Sequence, residues 1–149
     1  MIYTIQNESL TVRVEDLGAQ LSSIQPPDGT EYLWQGDPDI WARRAPILFP
    51  FIGRLRENTY CLDGLPYAIS THGFARDMVF SLVDQGEDHL SLQLTDTPET
   101  RKVYPFAFSL TVTYTLEGNR LKKSHRVENR SDKDMYYELG AHDGFRAPV

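Results

Sequence analysis

Phe106-Ala107-Phe108-Ser109-Leu110-Thr111-Val112-Thr113-Tyr114-Thr115-Leu116 runs through Glu117-Gly118-Asn119 into Arg120-Leu121-Lys122-Lys123-Ser124-His125-Arg126-Val127-Glu128. Phe108, Leu110, Val112, Tyr114 and Leu116 recur every second residue, which places them on one face of an extended chain. The glycine-containing break predicts a turn, so the two runs read as a long antiparallel hairpin with one apolar face.

The same pattern repeats outward from this hairpin. Val79-Phe80-Ser81-Leu82-Val83 and Leu90-Ser91-Leu92-Gln93-Leu94 flank Gln85-Gly86-Glu87-Asp88. Tyr60-Cys61-Leu62 and Tyr67-Ala68-Ile69 flank Asp63-Gly64, whose glycine supplies the positive φ of a tight hairpin turn. Near the start, Ile2-Tyr3-Thr4-Ile5 and Leu10-Thr11-Val12-Arg13-Val14 pair around Asn7-Glu8, and residues 19–24 supply a third strand. Residues 32–34 read as a short fourth strand, and residues 135–139 as a last one leading to His142.

No window sustains a helical period, so the chain reads as all-β and antiparallel. The one helical candidate is residues 97–104, where Thr97 caps, Pro98 takes the first helical position and Pro105 ends the turn. Residues 34–58 fit neither period and form a long irregular segment of the kind that carries function. With no repeat or linker in view, residues 1–149 read as a single domain.

A net charge of -6 without a basic run excludes a nucleic-acid or anionic-membrane surface. Cys61 is the only cysteine, so no internal disulfide and no cysteine-based metal site can form. The N-terminus lacks a basic start and an apolar core, and no stretch approaches the roughly 20 apolar residues of a membrane span. These features point to a cytoplasmic protein without a metal or organic cofactor.

Two histidines and an arginine stand out. Arg54 closes the apolar run Ile47-Leu48-Phe49-Pro50-Phe51-Ile52-Gly53, His72 precedes Gly73, and His142 lies in Gly140-Ala141-His142-Asp143-Gly144. On residue chemistry alone each carries two readings. Arg54 is a fork of donors for hydroxyl groups or a solvated strand-end charge. His72 is a ligand donor or a satisfied structural histidine, and His142 a general acid or an exposed loop residue. His89 and His125 read as solvent-facing, Arg76-Asp77 as a local ion pair, and Glu15-Asp16 and Glu87-Asp88 as solvated carboxylates.

With these segments assembled, the chain resembles the N-terminal half of the aldose 1-epimerase (galactose mutarotase-like) family, nearest its LacX-like subgroup. The resemblance rests on Leu48-Phe49-Pro50-Phe51-Ile52-Gly53-Arg54, Thr71-His72-Gly73-Phe74-Ala75-Arg76-Asp77, Tyr104-Pro105-Phe106 and Gly140-Ala141-His142. It implies an antiparallel β-sandwich of the supersandwich kind, of which this chain is the N-terminal part. It also implies interconversion of the α and β anomers of an aldose, with Arg54 and His72 holding sugar hydroxyls and His142 as the general acid.

Two departures follow from the resemblance. Asp143 stands where the family usually has proline, positioned to raise the pKa of a nearby histidine or to face water. The family's general base, a glutamate, belongs to a C-terminal half that these 149 residues do not include. The short chain alone is therefore expected to be inactive. The alternative is a non-catalytic carbohydrate-binding domain that keeps Arg54, His72 and Trp41, and self-association through exposed strand edges is a further expectation.

Overall fold

The computed structural model describes residues 1–147. Strands β1 (Ile2–Gln6), β2 (Thr11–Glu15) and β3 (Leu21–Gln25) form an antiparallel three-stranded sheet in that order. After the irregular segment, which holds the two-residue strand β4 (Ile47–Leu48) and a single 3-10 turn (Arg56–Asn58), β5 (Thr59–Leu62) and β6 (Leu65–Ala68) form a hairpin. Its turn is the expected one, since both Asp63 (φ 51°) and Gly64 (φ 79°) take left-handed conformations.

Strands β7 (Ser81–Gln85) and β8 (His89–Thr95), helix α1 (Pro98–Val103), and strands β9 (Phe108–Glu117) and β10 (Arg120–Asn129) complete the main body. The four strands make a second antiparallel sheet in the order β10-β9-β8-β7. Helix α1 is six residues long because Pro105 cannot continue it. Its start is a reciprocal cap: the Thr100 N–H donates to Thr97 Oγ1, and the Thr97 N–H to Thr100 Oγ1.

Every second residue of β9, from Phe108 to Leu116, is buried as the alternation requires. That face joins Leu90, Leu92 and Leu94 of β8 with Ile5, Val12, Val14 and Leu21 of the first sheet in one core. Burying the apolar faces of two antiparallel sheets against each other is what drives a β-sandwich. The Tyr114 hydroxyl crosses this interface and donates to the Ala19 carbonyl at 2.7 Å, so its one polar atom is satisfied.

Four sequence expectations change here. Residues 135–139 form no strand, and only β11 (Gly140–Ala141) pairs, antiparallel to β4. Pro46 and Pro50 bracket β4 and have no N–H to extend a ladder. The segment is held by single bonds instead: the Glu138 N–H donates to the Pro50 carbonyl, and the Ile52 N–H to Glu138 Oε2. Residues 32–34 contribute only one bridge, Leu33 to Phe145.

The third change is His125. In the β9–β10 register it lies opposite Val112, and Lys123 opposite Tyr114, so both are on the core-facing side of an outer strand. His125 is half-buried rather than solvent-facing. Glu15 and Asp16 are likewise half-buried, paired with Arg44 at 3.1 Å and with the N-terminal ammonium at 2.6 Å.

Candidate functional site

The site is built on the apolar run that ends at Arg54. Ile47, Leu48 and Phe49 are buried, with the Phe49 ring among Phe74, Tyr104 and Phe108. The Phe49 carbonyl accepts the N–H groups of Phe74 at 3.0 Å and Ala75 at 3.2 Å. This close approach needs Gly73: a Cβ there would lie 2.1 Å from the Phe49 oxygen, and φ is +72°.

Immediately before it, His72 has φ 67°, an uncommon conformation for a non-glycine residue, and two bonds to Gly53 hold it there. The His72 N–H donates to the Gly53 carbonyl at 2.8 Å, and the Gly53 N–H donates to His72 Nδ1 at 2.9 Å. An Nδ1 that accepts carries no proton, so the neutral ring holds its hydrogen on Nε2. Partial desolvation, followed by the positive charge of Arg76, His142 and Arg43, pushes the His72 pKa below its ordinary value. The tautomer and the charge state thus agree: His72 is a neutral donor.

His142 reaches the same neighbourhood from the other end of the chain. Its N–H donates to the Pro46 carbonyl at 3.1 Å, and the Gly144 N–H to the Arg44 carbonyl at 2.8 Å, extending the β4–β11 pairing. The exposed imidazole lies against Trp41, ring centroids 5.1 Å apart and planes tilted by 54°. Trp41 is steadied by its carbonyl, which accepts Trp34 Nε1–H at 2.7 Å. His142 therefore has an apolar aromatic wall on one side and solvent on the other.

Arg54 is placed differently. Its guanidinium is exposed and donates from Nε to Asn58 Oδ1 at 3.3 Å, so the chain ties it to His72 through the backbone of Gly53. The charges around His72 come instead from Arg43 and Arg76. Both engage Asp77, at 2.8 Å and 3.5 Å, and Arg76 also donates to the Thr71 carbonyl at 2.8 Å. The expected Arg76–Asp77 pair is present but shared with Arg43. Arg43 lies in the irregular segment of residues 34–58, where no periodic pattern singles it out.

Asp143 is turned from water, and its charge raises the His125 pKa against the larger lowering by desolvation and Lys123. It accepts from Lys123 Nζ at 3.0 Å, with 20% of its side chain and 11% of the lysine's exposed. Asp77 and Asp143 are thus each engaged by a cation. Among the described residues no group of three or more His, Cys, Asp or Glu could hold a metal ion, and no helix is long and apolar enough to cross a membrane.

Residues 1–149 match the protein family described as aldose 1-epimerase. The chain is 39% identical over 155 residues to the chromosomal LacX protein of Lactococcus lactis subsp. lactis, covering 100% of this chain and 52% of that protein. A galactose mutarotase related enzyme from Lactobacillus acidophilus superposes with a TM-score of 0.98 at 40% identity, over 100% of this chain and 50% of its own. A galactose mutarotase-like protein from Lactobacillus casei does so with a TM-score of 0.97 at 36% identity, over 100% and 51%. The chain spans about half the length of these relatives.

Proposed function

This chain belongs to the aldose 1-epimerase family, and from that premise we propose that residues 1–149 supply the sugar-holding and acid side of an enzyme that interconverts α and β anomers of an aldose. The observation that carries this reading is that two imidazoles of different character lie near enough for the charge of one to act on the other. His72 is locked as a neutral Nε2–H donor by Gly53, while His142 is exposed against Trp41.

In the proposed reaction His142, protonated, gives its proton to the ring oxygen while a base removes the proton from the C1 hydroxyl. The bond between C1 and the ring oxygen breaks and the C1 hydroxyl oxygen becomes the aldehyde. Rotation about C1–C2 and reversal of the proton transfers close the ring on the other face, so acid and base are restored. Imidazole suits this exchange because its ordinary proton affinity lies near neutral pH. His72 donates from Nε2 to a sugar hydroxyl, Arg54 holds another at the rim, and Trp41 offers its apolar face to the C–H side of the ring.

The base is assigned to residues outside this chain, because Asp77 and Asp143 are already committed to cations. The 149 residues are read as one folding unit that works in the cytoplasm with the remaining half of the family fold, needing no metal or organic cofactor. Polarimetry on freshly dissolved aldose tests this. The chain alone should leave the rate at the uncatalysed value, and the complementary half should restore catalysis that His142→Gln removes. Catalysis by the short chain alone would refute the missing base.

The pairing of both carboxylates also favours a second reading, a carbohydrate-binding unit without turnover. Saturable sugar binding abolished by His72→Ala, with no catalysis after the complementary half is added, would decide for it.

A further inference from the structure

We propose that Lys123 is a positioning residue for His142, acting through Asp143 as a latch between the outer strand β10 and the His142 loop. That orienting His142 matters for chemistry rests on the acid role proposed above. The latch itself is a statement about geometry.

Lys123 occupies an unusual place. The β9–β10 register sets it opposite Tyr114, on the side of the sheet that forms the core, and its Nζ lies 5.9 Å from the centre of the buried Tyr114 ring. A lysine there cannot leave its ammonium unpaired at acceptable cost. Its anionic partner is Asp143 at 3.0 Å, twenty residues on and next to His142. The pair is largely withdrawn from solvent on both sides, unlike the surface pairs Arg126–Glu128 and Arg56–Glu57.

The loop is extended, with His142 and Gly144 N–H groups bonded to the Pro46 and Arg44 carbonyls. Neighbouring side chains of an extended chain point to opposite faces. Holding Asp143 down on Lys123 therefore holds the His142 ring up, where it meets Trp41. Gly144 completes the fit, because a Cβ at that position would come 2.8 Å from Trp41 Cζ3. Without the latch nothing retains a carboxylate in this place, and the segment turns it toward water, carrying His142 off Trp41.

Imidazole NMR signals of the 149-residue protein test the latch without requiring catalysis. The His142 signals, identified by their loss in His142→Gln, should show the ring-current displacement produced by Trp41. Lys123→Met and Asp143→Asn should each abolish that displacement and leave the His89 signals in place. A purely structural ion pair would lower stability while leaving the His142 signals unmoved in the folded variant, and that result overturns the proposal. If Lys123→Met does not fold, Asp143→Asn and the double variant, which buries no lone charge, give the same reading. A positive NMR result with an active His142→Gln enzyme would sink the acid role and spare the latch.

Discussion

Gly53 and His72 bind each other twice: the His72 N–H donates to the Gly53 carbonyl at 2.8 Å, and the Gly53 N–H to His72 Nδ1 at 2.9 Å. The second bond exists only while Nδ1 is unprotonated. Nitrogen-15 shifts of His72 should therefore report the Nε2–H tautomer, with a titration midpoint below 6.5, the ordinary value. An Nδ1–H tautomer or a midpoint above that value would contradict the arrangement.

A second pH effect concerns stability. His72 and His125 are both held below their ordinary value of 6.5, each chiefly by desolvation. Below that pH the unfolded chain binds more protons than the native one, so stability is full above pH 6.5 and declines as the pH falls. His89 works in the opposite direction through its hydrogen bond to Asp88, but its partly exposed ring is screened by solvent. Urea midpoints should drop between pH 7.5 and 5.5, both roughly spanning the ordinary histidine pKa. His125→Gln should flatten the dependence, whereas a midpoint that rises on acidification would reverse the sign.

Gly73→Ala should be much more damaging than Gly64→Ala. Both glycines have positive φ, 72° and 79°, but the Gly73 Cβ would meet the Phe49 oxygen at 2.1 Å while nothing lies within 4 Å of the other. The Gly64 change should cost about 1 kcal/mol, the backbone penalty alone. The Gly73 change should exceed ~4 kcal/mol, a value reserved for a named steric conflict. Equal losses in denaturant titrations would show that the close approach to Phe49 is not what requires glycine.

Phe49→Ala should destabilise by ~3 to 5 kcal/mol, since its fully buried ring meets Phe74, Tyr104 and Phe108 within 6.1 Å between centroids. Phe49→Leu should cost less because it leaves a smaller cavity. The Phe49 carbonyl also receives the backbone next to His72, so the alanine variant should weaken sugar binding along with stability. Calorimetric unfolding and sugar titration on the same samples would expose any separation of the two losses.

Thr97→Ala should cost about 1 kcal/mol by removing the acceptor for the Thr100 N–H. Thr97→Ser, which keeps the hydroxyl, should recover most of it. If alanine and serine behave alike in thermal unfolding, the cap contributes nothing measurable.

Much of the architecture was legible from local pattern. Alternation at Phe108, Leu110, Val112, Tyr114 and Leu116 announced the buried face of β9, Asp63-Gly64 the turn of the β5–β6 hairpin, and Thr97-Pro98 the start of α1. Residues 135–139 misled because β propensity cannot tell whether a partner strand has N–H groups to offer, and the prolines around β4 do not. His125 misled because its face depends on pairing with Val112. Among the site residues, His72 feels the charges of Arg76, His142 and Arg43, whereas the Arg54 side chain turns to Asn58.

By itself the sequence determined the long strands and the hairpin turns, and through its motifs the family. These depend on steric rules that act within a few residues: the two-residue period of extended chain, the positive φ open to glycine, the missing N–H of proline. The tertiary structure alone decided that Gly53 selects the His72 tautomer, that Lys123 clamps Asp143, and that Trp41 backs His142. Those partners are separated along the chain by 19, 20 and 101 positions, and only the burial of two apolar sheet faces against each other brings them into register.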